Sequence, residues 1–102
     1  MKFIGQYKEF CPNHHYPSMR DSFNSGHYAG QNKIVRFLLN GKMICASAGI
    51  PKDVFTGKRI PMEKIGMENG EYTWFNTLAY YVENYNLRLP EDVENYILNR
   101  QE

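Results

Sequence analysis

The sequence predicts one α+β domain, in which a small antiparallel sheet of about three strands packs against two to four helices. A turn signal at residues 68–70 separates two short strand patterns, and two amphipathic helical patterns close the chain. The 102 residues suffice for one hydrophobic core and not for two. We therefore expect a single domain over residues 1–102, with an irregular N-terminal region at 1–30 and the α+β core at 31–102.

The N-terminal region has weak signals for regular structure. Residues 2–7 are compatible with a short strand or an ordered arm. Residues 9–30 are rich in Pro, Asn, His, Ser and Gly, which interrupt helices and strands. Between Pro17, which suits a helix start, and Gly26, which suits a stop, residues 18–24 are expected to form one or two helical turns.

Residues 32–40 fit two different elements. As a helix they are capped by Asn32 and end at Gly41 in a left-handed conformation. One face of that helix carries Ile34, Phe37 and Leu38. As a strand they pair with the following segment across a type I′ turn at Asn40-Gly41. The i, i+3, i+4 spacing and the terminal Asn-Gly favour the helix, which we predict. A strand over residues 42–48 then follows.

The second half of the chain carries the clearest signals. A tight turn is predicted at residues 53–57, and strands at 63–67 and 71–74 are joined by Glu68-Asn69-Gly70. Asn76 or Thr73 is expected to cap the first closing helix, and Pro90 to start the second. Both helices must cover one face of the hairpin, so five apolar residues are expected to be buried together: Trp74, Leu78, Val82, Val93 and Ile97.

A longer pattern runs through this half. It comprises Asp53-x-x-Thr56-Gly57, then Asn69-Gly70-x-Tyr72-x-Trp74, Leu78-Ala79-Tyr80-Tyr81-Val82-Glu83, Tyr85 and Leu89-Pro90. Over roughly residues 33–100, the chain resembles a small bacterial family of hypothetical proteins that has no assigned activity. An Asp often precedes the hairpin glycine in that family, where this chain has Asn69. The resemblance implies a compact bacterial domain and no particular chemistry.

Composition limits the environment of the protein. The two cysteines, Cys11 and Cys45, are expected to be free thiols in a reducing compartment. The N-terminus lacks the apolar run of a signal peptide, and no stretch approaches the ~18 consecutive apolar residues of a membrane span. A soluble, cytoplasmic protein is therefore predicted. Residues 1–62 carry nine basic and three acidic residues, a net +6, whereas residues 63–102 carry three basic and eight acidic, a net −5.

Candidate catalytic and metal-binding residues are few. Cys11, His14 and His27 are ligand types for zinc, but a structural zinc site normally needs a second paired motif, which is absent from the sequence. A cysteine followed by proline in an irregular segment is also a poor platform for an oriented thiolate. The carboxylates after Pro90 are explained by the helix dipole. We predict no metal, no cofactor and no enzymatic activity.

The aromatic content of 15% is the most unusual feature of the composition. Because Tyr is enriched at the centres of interfaces, we predict a non-enzymatic protein-binding domain of the immunity or accessory type, either a monomer or a weak dimer. Its predicted contact residues are the exposed members of a tyrosine set: Tyr72, Tyr80, Tyr81 and Tyr96. The alternative is a weak nucleic-acid-binding module that uses basic residues: Lys33, Arg36, Lys52, Lys58 and Arg59. The near-neutral net charge of +1 disfavours that alternative.

Overall fold

The computed structural model describes residues 1–47 and 49–100. Along these residues the elements are β1 (Lys2–Phe3), a 3₁₀ helix (Met19–Ser22), α1 (Gln31–Leu39), β2 (Lys42–Ala46), β3 (Ile65–Glu68), β4 (Tyr72–Phe75), α2 (Leu78–Tyr85) and α3 (Glu91–Leu98). The strands form one sheet in the order β1-β4-β3-β2. The predicted α+β class is confirmed. The sheet has four described strands rather than three, and it is mixed, because β1 pairs in parallel with β4.

The hairpin between β3 and β4 is confirmed, and its turn is built by the two residues that predict it. The Asn69 side-chain oxygen accepts hydrogen bonds from the backbone N–H groups of Glu71 and Tyr72, at 3.1 and 2.8 Å. Gly70 has a φ of 94°, which a residue with a Cβ rarely adopts. The turn therefore supports the register of the hairpin, in which β3 and β4 pair antiparallel.

The segment at residues 32–40 is helical, as predicted, but its two caps differ from the prediction. The residue before the helix is Gly30 in a left-handed conformation, and Asn32 lies inside the first turn. At the other end Asn40, with a φ of −118°, is the cap, and Gly41 is not left-handed. Gly41 is needed for space instead, because a Cβ there would lie 2.6 Å from Cζ2 of Trp74.

The N-terminal region is irregular over most of its length but belongs to the same core. The 3₁₀ helix lies within the predicted residues 18–24, and the Ser18 hydroxyl accepts a hydrogen bond from the Arg20 N–H at its start. The side chains of Ile4, Tyr7 and Met19 are all at least 95% buried. The arm is therefore one wall of the core rather than an appendage.

The start of α2 is arranged differently from the prediction. Thr77 occupies the cap position without a side-chain hydrogen bond, and Thr73 lies in β4. The Asn76 side chain accepts the N–H of Ile65 at 2.7 Å and donates to the carbonyl of Glu63 at 2.8 Å. Asn76 thus joins the end of β4 to the beginning of β3 instead of capping the helix.

The predicted core is confirmed. All five predicted residues are buried in one cluster: Trp74, Leu78, Val82, Val93 and Ile97. The indole N–H of Trp74 donates to the carbonyl of Leu38 at 2.9 Å, which ties the sheet to the end of α1. The predicted start of the last helix at Pro90 is also confirmed. The strand predicted over residues 42–48 covers Lys42–Ala46, and Ala48 lies outside the described residues.

Candidate functional site

Exposed apolar side chains mark two places on the surface. Eight large apolar residues are exposed among those that the structure describes. Three of them surround one cleft: Phe3, Phe10 and Val54. Four others fall within residues 39–50: Leu39, Met43, Ile44 and Ile50. Exposed apolar side chains are typical of binding sites when they lie close together, so both places are candidates.

The cleft, which we call the apolar cleft, lies between the N-terminal arm, the loop over residues 51–60 and the beginning of α2. Its volume is about 340 Å³. Ile4 and Leu78, which are 3% and 2% exposed, form part of its interior. Phe3 and Phe10, each 38% exposed, stand at its mouth. The cleft can therefore hold one or two bulky apolar groups.

The apolar cleft is lined by more positive than negative charge. Its basic residues are Lys52 and Lys64, and of the described residues that line it, Glu9 alone is acidic. The Glu9 carboxylate accepts hydrogen bonds from the Ser18 hydroxyl and the Met19 N–H, at 2.5 and 2.8 Å. Burial acts to raise the pKa of Glu9, but these two hydrogen bonds, a third from its own backbone N–H and the nearby charge of Lys8 together lower the pKa. Glu9 is thus engaged within the domain, and the two lysines set the charge that the cleft presents.

One wall of the apolar cleft is held in place by Asp53, which is 1% exposed. One carboxylate oxygen accepts the N–H groups of Phe55 and Thr56, at 2.7 and 3.2 Å. The other accepts the hydroxyls of Tyr80 and Tyr85 on α2, at 2.8 and 2.5 Å. The turn predicted at residues 53–57 is therefore a loop that is hydrogen-bonded to α2 through Asp53.

This network determines how its members ionise. Burial acts to raise the pKa of the Asp53 carboxyl, but the hydrogen bonds from Tyr85, Tyr80 and the two amides outweigh it and lower the pKa. The hydrogen bond to Asp53 in turn raises the pKa of Tyr80 to about 12. The Asp53 side chain is therefore a structural carboxylate that four hydrogen-bond donors already occupy.

The predicted tyrosine set is divided by the fold. Tyr72 and Tyr81 are buried, at 6% and 1% exposure. Tyr81 nevertheless lines the apolar cleft, where its hydroxyl accepts the N–H of Val54 at 3.1 Å. Tyr80 and Tyr96 are partly exposed, and they are the accessible members of the set.

The hydroxyls of these two accessible tyrosines are engaged inside the domain. The Tyr80 hydroxyl donates to Asp53, and the Tyr96 hydroxyl accepts hydrogen bonds from Asn69 and Arg100, at 2.9 and 2.7 Å. A partner would therefore contact their rings more readily than their hydroxyls, which already have hydrogen-bond partners.

Sequence reasoning did not identify the residues at the mouth of the apolar cleft. Phe3 and Phe10 lie in the segment predicted to be irregular, and Val54 lies in a predicted turn. Apolar residues in irregular segments can indicate a binding site, because those that do not reach the core remain exposed at the surface. That signal is present in the sequence, but it does not say that the three residues meet.

The basic residues of the nucleic-acid alternative lie in separate places. Lys33 and Arg36 line a groove of about 410 Å³ together with Arg100, whereas Lys52 lines the apolar cleft. Nζ of Lys33 donates to the carbonyls of Leu98 and Arg100, at 3.0 and 2.5 Å, and so caps the end of α3.

The remaining two basic residues of that alternative, Lys58 and Arg59, are exposed in the loop over residues 51–60. The five basic residues are thus divided between a groove beside α1, the apolar cleft and an exposed loop. A nucleic-acid backbone would need a continuous basic track, and no single groove of the described residues gathers all five.

The zinc candidates are also placed apart. Cys11 lines the apolar cleft, and the His14 ring stacks on Tyr16 with centroids 5.1 Å apart. His27 precedes α1, with Nε2 3.4 Å from the side-chain oxygen of Asn32. Among the described residues, no group of three His, Cys, Asp or Glu side chains is arranged to hold a metal ion. In the same part of the chain, no helix has the length and apolar character needed to span a membrane.

No protein-family model, curated protein or solved structure matches this chain. The resemblance to a bacterial family of hypothetical proteins therefore stays a prediction from the sequence pattern. The geometry does give that pattern a physical meaning. Asp53, Tyr80 and Tyr85, three of its members, form one hydrogen-bonded network, and Asn69 and Gly70 form the hairpin turn.

Proposed function

We propose that this domain is non-enzymatic and acts by binding another protein, which inserts an apolar side chain into the apolar cleft. The observation that carries the proposal is the placement of exposed Phe3, Phe10 and Val54 around a preformed apolar interior. Interfaces derive most of their binding energy from a few bulky side chains that fill such pockets. The immunity or accessory class, a bacterial origin and a cytoplasmic location belong to the same proposal.

The charges of the cleft indicate the chemistry of the partner. Lys52 and Lys64 favour acidic residues on either side of the inserted apolar group, since Glu9 is engaged within the domain. Charges at the rim of an interface affect the rate of association and its salt dependence more than the final affinity. The apolar contact therefore supplies affinity, and the two lysines orient the partner.

The hydrogen bonds that hold the loop wall of the cleft in place support the same proposal. The loop that carries Val54 is fixed by the Asp53 network and by the Tyr81 hydroxyl. A preformed pocket avoids part of the entropy cost of ordering loops on binding. Burying the exposed part of each phenylalanine at the mouth is expected to contribute about 1–2 kcal/mol.

Affinity capture from the native host, followed by a binding titration with the captured protein, tests the proposal. Val54→Glu should weaken binding at least tenfold, because it places a carboxylate at the mouth of an apolar pocket. The matched control is Met43→Glu, which makes the same change at an exposed residue outside the cleft. Equal affinity for wild type and Val54→Glu would contradict the proposal.

The nucleic-acid alternative is tested by salt. A nucleic-acid binder should lose about 0.9 log unit of affinity per phosphate contact for each tenfold rise in salt. We expect no retention on duplex DNA or RNA at physiological salt, and we expect the Lys58→Glu, Arg59→Glu double variant to keep partner binding. Steeply salt-dependent nucleic-acid binding that this double variant abolishes would favour the alternative instead.

A further inference from the structure

The second exposed apolar region is built on β2, an edge strand. In the sheet order β1-β4-β3-β2 it has a neighbour on one side only. All five of its residues, Lys42–Ala46, are exposed. The opposite edge is the two-residue strand β1. An edge strand presents unpaired N–H and C=O groups along its free side, so β2 offers the longer template for pairing with another strand.

The side chains of this edge are apolar where an unpartnered edge would normally be charged. Met43 is 62% exposed and Ile44 is 49% exposed. Leu39 and Ile50, which precede and follow the strand in the sequence, are 42% and 56% exposed. Lys42 is the one charged residue in β2. Natural proteins usually protect free edges with several charges. One lysine and one shift of register are the only such devices in β2, so its exposed apolar side chains favour an edge that is covered.

We propose that β2 pairs antiparallel with β2 of a second copy of this chain, with the two-fold axis at Ile44. This register places Lys42 opposite Ala46 of the second copy, and Met43 opposite Cys45. The single charge of the strand therefore never faces itself, and the apolar residues meet apolar residues. That self-complementarity is what a symmetric dimer requires, and it favours a second copy over a different partner.

The dimer is expected to be weak. The register of β2 against β3 shifts between Met43 and Cys45, and such an irregularity bends an edge away from flat pairing. Five paired residues also bury less than the ~800 Å² per partner of a standard interface. We expect a dissociation constant of about 0.1–1 mM. The apolar cleft uses none of these residues, so this inference and the proposed function can fail separately.

Sedimentation equilibrium of the full chain, over protein concentrations that span this range and with reductant present, tests the inference. The wild type should change from monomer to dimer. Ile44→Lys and Ile44→Glu should each stay monomeric, because each places like charges opposite one another at the axis. An equimolar mixture of the two variants should dimerise again, since unlike charges then meet.

Three results would overturn the inference: a wild type that stays monomeric, single variants that dimerise like the wild type, or a mixture that stays monomeric. Val54→Lys is the control, because it adds the same charge at an exposed apolar residue outside β2 and should dimerise normally. Cys45→Ser should also dimerise, which separates strand pairing from oxidation of this exposed thiol. Circular dichroism verifies that each variant is folded.

Discussion

Replacing Asp53 by Asn should destabilise the domain at neutral pH, although the two side chains have nearly the same shape. The carboxylate is 1% exposed and accepts four hydrogen bonds, two from backbone amides and two from tyrosine hydroxyls. An amide has only one acceptor oxygen. In the Asn variant, the backbone N–H groups of Phe55 and Thr56 can still donate to that oxygen, but it is neutral. The hydroxyls of Tyr80 and Tyr85 then lose a charged acceptor.

The size of this loss can be worked out from the four bonds. A hydrogen bond to a charged group contributes about 1 kcal/mol more than one between neutral groups. Four such bonds give about 4 kcal/mol. Burying the charge costs about 2 kcal/mol more than burying neutral Asn, and this cost must be subtracted. We therefore expect a net loss of about 2 kcal/mol in the free energy of unfolding, measured by urea denaturation at pH 7.

The pH dependence provides the sharper test. The pKa of Asp53 is lowered in the folded protein, so its contribution is fully present above the unfolded value of about 3.9 and is lost as the pH falls through the folded value. The difference between wild type and Asp53→Asn should accordingly shrink below about pH 4. Asp21→Asn, at an exposed aspartate, is the control. A difference below about 0.5 kcal/mol at pH 7, or one that does not change with pH, would refute the reasoning.

Three further substitutions test the packing. Gly41→Ala should cost about 1–3 kcal/mol, because its Cβ would lie 2.6 Å from the Trp74 ring, and denaturation followed by Trp74 fluorescence measures it. Leu78→Ala should cost about 2–5 kcal/mol, since Leu78 is 2% exposed; a loss below about 0.5 kcal/mol in urea would show that the helix faces water. Tyr7→Phe should leave stability unchanged or raise it, because the buried Tyr7 hydroxyl has no hydrogen-bond partner among the described residues; a loss above about 1 kcal/mol in thermal melts would contradict this.

The features that the sequence predicts well are those with local causes. The hairpin follows from Asn69-Gly70, and the last helix from Pro90. Both signals act over three or four residues. The buried set around Trp74 is predictable for a related reason, since a helical period specifies a face and a small domain has only one core to receive it.

Features set by distant residues are not predictable in the same way. The role of Gly41 differs from the predicted cap because the residue fits closely against Trp74, which is far away in sequence. The helical pattern predicts Asn76 as a cap. Its side chain instead forms hydrogen bonds with the backbone of Ile65 in β3 and of Glu63, which precedes β3. In each case a tertiary contact replaces a local preference.

The apolar cleft shows the same limit for function. Its walls come from the N-terminal arm, the loop over residues 51–60 and the start of α2, which meet only once the chain has folded. The sequence shows that Phe3, Phe10 and Val54 are apolar residues in segments without a regular pattern, but not that they surround one space.

Two members of the sequence pattern, Leu78 and Tyr81, line the apolar cleft, but none of its specified members stands at the mouth. The loop is hydrogen-bonded to α2 through Asp53, Tyr80 and Tyr85, so the polar groups of these side chains already have partners inside the domain. Phe3 and Phe10 lie outside the pattern, and Val54 is one of its unspecified positions. A chain that shares the pattern is therefore expected to share the scaffold of the cleft. Under the proposed function, the residues at the mouth of the cleft decide which partner the chain accepts.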